Sequence, residues 1–140
     1  MSAPGRPADR ATADDGRIDV VAAVIHRGDR VLVCQRPPDV QLAGQWEFPG
    51  GKVNPGEQRE QAMARELEEE LALELAAYGP ERFVYETSDG RFRLHFVEVT
   101  VTGDPRALEH SALRWLRPEE LETVALASGD RAFADLLLGL

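Results

Sequence analysis

Residues 50–73 read GGKVNPGEQREQAMARELEEELAL, a glycine- and proline-rich loop running directly into the strongest helix-forming stretch of the chain. The composition of residues 58–72 predicts a helix. Taking Glu66 as the origin, Glu69 lies at about −60° and Glu70 at about +40°, while Met63, Leu67 and Leu71 lie at about +60°, +100° and +140°. Three carboxylates therefore share one sector of about 100° that borders the apolar stripe. Gln58, Gln61, Arg65 and Glu68 take the outward face. A solvated charge run would be expected opposite the core, whereas these acids sit at its rim, looking into a groove. Glu66 and Glu70 are like charges four residues apart, a destabilising pair unless a cation lies between them.

The pattern on either side is mixed. Ile18–His26 is β-rich, Arg27-Gly28-Asp29 reads as a turn, and Arg30–Arg36 is a second strand stopped by Pro37-Pro38. Residues 37–57 read as loop around a short apolar piece, Trp46–Phe48. Beyond the helix, Gly79-Pro80 marks a break, and Arg82–Glu86 with Arg91–Val101 predicts a hairpin around Ser88-Asp89-Gly90. Leu113–Leu116 is a further strand, Pro118 opens a short helix, and Ser128 caps a last helix running to about Leu138. The order predicts an α/β (α+β) domain with the glutamate-rich helix against a mixed sheet. Residues 1–17 are small and polar and are expected to be a disordered tail, leaving one domain over residues 18–140.

The chain has 140 residues, 43% hydrophobic and 29% charged, which is a globular composition. With 25 acidic against 16 basic residues the formal net charge is −9, unlike a domain that grips nucleic acid by bulk charge. An anionic substrate would need a metal ion or local cations. A single cysteine, Cys34, excludes an internal disulfide and a zinc site built from four cysteines. His26, His95 and His110 are scattered. No apolar run approaches the length of a membrane span, and the start lacks the apolar core of a signal peptide, so a cytoplasmic protein is expected.

Carboxylates at a groove suit a hard cation such as Mg²⁺, which keeps several waters and bridges to phosphates. The glycine-rich loop lets backbone N–H groups approach an anion near a helix start. Together these suggest attack by activated water on a phosphate. Glutamate runs are also common on exposed helices, so the acids alone leave a solvated face and a cation site both open.

Gly51, then five residues, Glu57, then seven residues, then Arg65-Glu66-Leu67-Glu68-Glu69-Glu70 resembles the Nudix box. The box glycine near its end is Ala72 here, while the aliphatic position after it, Leu73, is kept. Glycine there ends the helix at positive φ, so alanine costs about 1 kcal/mol or lets the helix run on. Val31–Arg36 followed by LAGQWEFPGGK (residues 42–52) resembles the MutT branch of that family, and the likeness covers roughly residues 18–138. The resemblance implies an α/β/α sandwich, use of Mg²⁺ or Mn²⁺, and hydrolysis of a nucleoside triphosphate to the monophosphate and pyrophosphate.

By the same resemblance, Glu69 and Glu70 match the principal metal ligands, Glu66 the acid that supports them, and Arg65 the arginine that fixes the box acids. Gly51 matches the glycine whose carbonyl is an extra ligand, beside Gly50, and Glu57 the acid anchoring loop to helix. Glu109, six residues before Trp115, matches a metal-binding or base glutamate. Arg36 and Lys52 are candidates for the phosphates, and Trp46 and Phe48 for the base pocket. Asp130, in Ser128-Gly129-Asp130-Arg131, matches a residue that reads the base edge. An aspartate accepts from cytosine N4 or, when protonated, pairs with an oxidised guanine edge.

The resulting expectation is a MutT-type pyrophosphohydrolase acting on an oxidised nucleotide such as 8-oxo-dGTP, for nucleotide-pool sanitation, or on CTP, dCTP or a methylated form. The partners expected are the nucleotide alone, with no nucleic acid or membrane, for a monomer or homodimer. The alternatives are hydrolysis of ADP-ribose or a dinucleoside polyphosphate, and a Nudix fold kept as a non-catalytic binding module, which the intact Glu66, Glu69 and Glu70 disfavour.

Overall fold

The computed structural model describes residues 15–139. Of the expected tail, residues 1–14 lie outside the described residues. Arg17 is tied down, its Nη1 donating to the carbonyls of Thr87 (2.9 Å) and Phe92 (3.1 Å). The strands are β1 (Ile18–Val24), β2 (His26–Arg27), β3 (Arg30–Gln35), β4 (Trp46–Glu47), β5 (Gly50–Lys52), β6 (Glu74–Glu86), β7 (Phe92–Thr102) and β8 (Ala112–Leu116). The helices are α1 (Arg59–Leu71) and α2 (Ser128–Leu137), with a 3₁₀ helix over Pro118–Thr123. Among the described residues no helix is long and apolar enough to cross a membrane.

The strands form two four-stranded sheets rather than one. The first has the order β5-β1-β7-β6 and is mixed, because β1 and β7 run parallel while β5 and β6 pair antiparallel with their neighbours. In the second, β3 pairs antiparallel with β8 and with β2 and β4. The chain passes from one sheet to the other at Ile25, between β1 and β2.

The two faces of both sheets are buried separately. Val21, Ala23 and Ile25, with Leu32 and Cys34, pack with Ala62, Met63, Leu67 and Leu71 of α1. Ala22, Val24, Val31 and Val33 point the other way, into a cluster with Trp46, Phe48, Phe96 and Phe133 of α2. Phe96 and Phe133 stack at 4.8 Å, and Phe48 meets Phe133 edge-on at 5.4 Å. Burial on both faces explains why residues 20–25 read as an unbroken apolar run. The layering is α/β/α, as the resemblance implies.

Two local expectations are corrected. Gly79-Pro80 does not break the chain: β6 runs through it, and the register against β7 shifts between Tyr78 and Glu81. Pro80, which has no N–H to give the ladder, sits within that irregularity. Ser128 is the first residue of α2 rather than its cap, a place taken by Ala127, whose carbonyl accepts from Arg131 N–H at 2.8 Å.

The end of α1 resolves the alanine question. Ala72 adopts φ 57° and ψ 36°, its N–H bonds to the Glu68 carbonyl (3.1 Å), and Leu73 N–H bonds to the Leu67 carbonyl (3.2 Å). The helix stops where a glycine would stop it, in a left-handed residue that carries a Cβ. Ala72→Gly relieves that Cβ at some cost in chain entropy. It is expected to stabilise the fold by about 0.5 kcal/mol net; a lowered unfolding midpoint in urea would contradict this.

Candidate active site

Arg65 is the joint between the glycine-rich loop and α1. Periodicity places it on the outward face, but its guanidinium folds back over the loop. Nε and Nη2 donate to the two carboxylate oxygens of Glu57 (both 2.9 Å), and Nη2 also reaches the Lys52 carbonyl (2.9 Å). Nη1 donates to Glu66 at 2.7 Å and lies 3.5 Å from Glu69. Glu57 also accepts from Asn54 N–H at 3.0 Å, closing the turn before the helix. The Arg65 fork, then that N–H, hold the Glu57 carboxyl down at about 2.

Beside this fork, Glu66 and Glu70 meet. Glu70 is buried, its carboxyl hydrogen-bonded to Glu66, with Gly50 N–H 3.4 Å from Oε1. Burial, then the hydrogen bond and charge of the Glu66 carboxylate, drive the Glu70 pKa well above the usual carboxylate range. The Gly51 backbone lies directly against this pair. A Cβ on Gly51 would sit 2.4–2.6 Å from the Glu66 carboxylate, and one on Gly50, at φ +152°, would sit 1.8 Å from the Val21 carbonyl oxygen. Only glycines let β5 approach both β1 and the acids. Among the described residues no three carboxylate, imidazole or thiol groups already form a metal cluster. The donor chemistry nevertheless fits a hard cation: two adjoining carboxyl groups with the Gly50–Gly51 backbone packed against them.

Glu70 opens onto a cleft of about 500 Å³ spanning both sheets, lined also by Gly50, Gly51 and Lys52 and by Arg36, Glu47, Phe48, Glu109, His110 and Asp130, while Glu66 and Glu69 are not among its lining residues. Arg36, Lys52, Phe48, Glu109 and Asp130 thus converge as the sequence leads one to expect. Lys52 Nζ lies 5.5 Å from the centre of the Phe92 ring at the cleft wall. Trp46 does not join them. Alternation along β4 buries it in the α2-side core, under Arg114 at 5.0 Å, and it is not among the residues lining the cleft. Glu69 lies on the outer flank, with its side chain 53% exposed and turned to Arg65.

Asp130 sits in the first turn of α2, where Oδ1 accepts from Phe48 N–H at 3.1 Å. Burial, opposed by that N–H and reinforced by the Glu47 charge, pushes its pKa up to about 7. Two further cleft residues escaped the sequence reading. Glu47 accepts from Arg36 Nη1 (3.1 Å) and from His110 Nε2 (2.9 Å). Alternation from Trp46 was the one available signal for Glu47; nothing in sequence pairs it with His110. His95 lies elsewhere, between Asp19 (2.8 Å) and Glu81 (2.7 Å).

Because the folded state holds the Asp130 proton more tightly than the unfolded chain, it binds more protons between pH 3.8 and about 7, so this group's contribution to stability falls as pH rises through that window. Asp130→Asn removes the titration while keeping an acceptor for Phe48 N–H. Its unfolding temperature, measured against the wild type, is expected to gain steadily over the window; a constant difference would contradict the assignment.

Comparison with known proteins supplies the family. The model of the NUDIX domain matches residues 16–137. The CTP pyrophosphohydrolase of Escherichia coli K12 is 41% identical over 126 residues, covering 88% of this chain and 93% of its own. The 8-oxo-dGTP diphosphatase of Haemophilus influenzae is 36% identical over 113 residues, covering 77% and 82%. A crystal structure of a MutT NUDIX hydrolase from Burkholderia pseudomallei superposes with a TM-score of 0.75 at 29% identity, covering 85% of this chain and 96% of that one. With the box residues assembled around Arg65 and the match running through almost the whole described fold, this chain belongs to the NUDIX domain family.

Proposed function

We propose that this protein is a divalent-metal-dependent nucleoside triphosphate pyrophosphohydrolase that converts a triphosphate and water to the monophosphate and pyrophosphate. The observation that carries the reading is the cleft itself. Paired acids held by Arg65 stand at one side, and a buried aspartate with one oxygen committed to Phe48 N–H stands at the other. A triphosphate and a base edge fit those two chemistries. The names of the relatives and the divalent-metal dependence general to the family support the same reading.

Glu66, Glu69 and Glu70, the Gly51 carbonyl and Glu109 are the residues that would hold Mg²⁺ or Mn²⁺. Bound there, such an ion would supply charge neutralisation for the triphosphate and a water of lowered pKa. Glu69 would exchange its contact with Arg65 for that role. Lys52 and Arg36 face the same cleft and offset phosphate charge. Glu109 or a box glutamate takes the proton from the attacking water. A bond forms from the water oxygen to the β-phosphorus as the bond from the β-phosphorus to the α–β bridging oxygen breaks, and that oxygen leaves on the monophosphate, with pyrophosphate as the other product. Asp130 presents its remaining oxygen to the base: ionised, it accepts from cytosine N4; protonated, it donates to an oxidised guanine edge.

A panel with Mg²⁺ distinguishes the substrates: 8-oxo-dGTP, dGTP, CTP, dCTP, 5-methyl-dCTP, ATP, ADP-ribose and a dinucleoside polyphosphate. Preferred turnover of 8-oxo-dGTP or of a cytosine nucleotide is expected. Preference for ADP-ribose or the dinucleotide, or no turnover, would overturn the reading. Glu69→Gln is expected to lower turnover by about a hundredfold with the unfolding transition unchanged; wild-type rates would remove Glu69 from the ligand set.

A further inference from the structure

The segment between β7 and β8, residues 103–111, carries Glu109 into the cleft, yet it belongs to no helix or strand. Its attachments are few and specific. On one side, Arg106 N–H donates to the Leu71 carbonyl (2.8 Å) and Leu108 N–H to the Glu70 carbonyl (3.1 Å), docking the segment on the last turn of α1. On the other side, Ser111 N–H donates to the Gln35 carbonyl (3.0 Å), and the His110 ring reaches across to β4, where Nε2 donates to Glu47 Oε2 at 2.9 Å.

The His110 ring is nearly fully buried, with its side chain 6% exposed, and Nδ1 has no hydrogen-bond partner among the described residues. The contact with Glu47 is therefore the polar anchor of the ring. Glu47 is itself steadied from the opposite oxygen by Arg36 Nη1 (3.1 Å), whose Nε donates to the Gln41 carbonyl (2.7 Å). The chain Arg36–Glu47–His110 thus links three separate segments along one wall of the cleft. Glu109 stands between the two anchors, with Leu108 bonded to the backbone of Glu70 on its one side and His110 bonded to Glu47 on the other. A side chain on an irregular loop would otherwise sample many positions, and a catalytic group loses effectiveness steeply when displaced by even about 1 Å.

We propose that His110 is a positioning residue: its hydrogen bond to Glu47 fixes the 103–111 segment so that Glu109 is held over the cleft beside Glu70. This role rests on the pyrophosphohydrolase reading of the site, in which Glu109 serves the reaction. His110 need not touch substrate. Glu47, steadied by Arg36, acts through it in the same way.

Two measurements test this independently. The first needs no activity: amide hydrogen exchange of His110→Phe, which keeps an aromatic ring and loses the donor. The Leu108 and Ser111 amides are expected to exchange about ten times faster than in the wild type, while amides of α1 keep their protection. Unchanged exchange at Leu108 and Ser111 overturns the proposal whatever the enzyme's activity. The second uses the best nucleotide of the panel with saturating Mg²⁺. His110→Phe is expected to lower kcat about tenfold with KM changed less than about twofold, and His110→Gln, which restores an N–H donor, is expected to recover most of that loss. Combined with Glu109→Gln, His110→Phe is expected to add almost nothing to the loss from Glu109→Gln alone. Multiplying losses, or a change confined to KM, overturn the proposal. Failure of the wild type to turn over any nucleotide refutes the pyrophosphohydrolase reading instead, and the exchange result then still decides whether His110 orders the segment.

Discussion

One side chain organises this site. The Arg65 guanidinium spends its donors on Glu57, Glu66 and the Lys52 carbonyl, so a loop rich in glycine and proline is fixed to the helix that follows it. Such a fork is partly open to solvent, and its net worth to global stability is modest. Its value is geometric. Arginine's planar donors meet the two Glu57 oxygens in parallel and still leave Nη1 for Glu66, which a lysine ammonium cannot reproduce.

With the loop fixed, the second constraint follows. Gly50 and Gly51 press against β1 and against the Glu66 carboxylate with no room for a Cβ. Glu66 and Glu70 are then held within hydrogen-bonding reach of each other, with Glu70 buried. A buried acid held against a second carboxylate is a cost to the fold, and the arrangement makes sense as preparation for a cation and the phosphates it carries. The fold offsets that cost elsewhere, with an apolar core on each side of the sheets. The cleft lies across the two sheets, so its two chemistries come from different layers: acids from α1 beside β5, and Asp130 from α2.

Much of this was legible in the chain. Helical spacing alone set Glu66, Glu69 and Glu70 at the rim of the buried face; Glu70 is buried and Glu66 half-buried, but Glu69, like Glu68, is exposed. The helix and its carboxylates read clearly because local propensity and amphipathic period agree over many residues. The resemblance anticipated the layers and the tie from Arg65 to the box acids. Other features were hidden for definable reasons. Gly79-Pro80 looks like a terminator, but a long strand absorbs it as a register shift because its partner β7 is continuous. Splitting the strands into two sheets at Ile25 depends on long-range pairing that no local pattern encodes. Trp46 and Glu47 are adjacent, and only the direction of the β4 pleat decides which faces the core. The bond from Glu47 to His110 joins residues 63 positions apart and has no local signature at all.

The claim beneath the whole account is that this site splits a triphosphate between its α- and β-phosphates. The most direct measurement is ³¹P NMR of the products formed by the wild-type protein from its preferred nucleoside triphosphate with Mg²⁺ in ¹⁸O-water. Nucleoside monophosphate and pyrophosphate are expected, with the ¹⁸O in the pyrophosphate, as attack at the β-phosphorus requires. Release of orthophosphate, or label carried on the monophosphate, would contradict it.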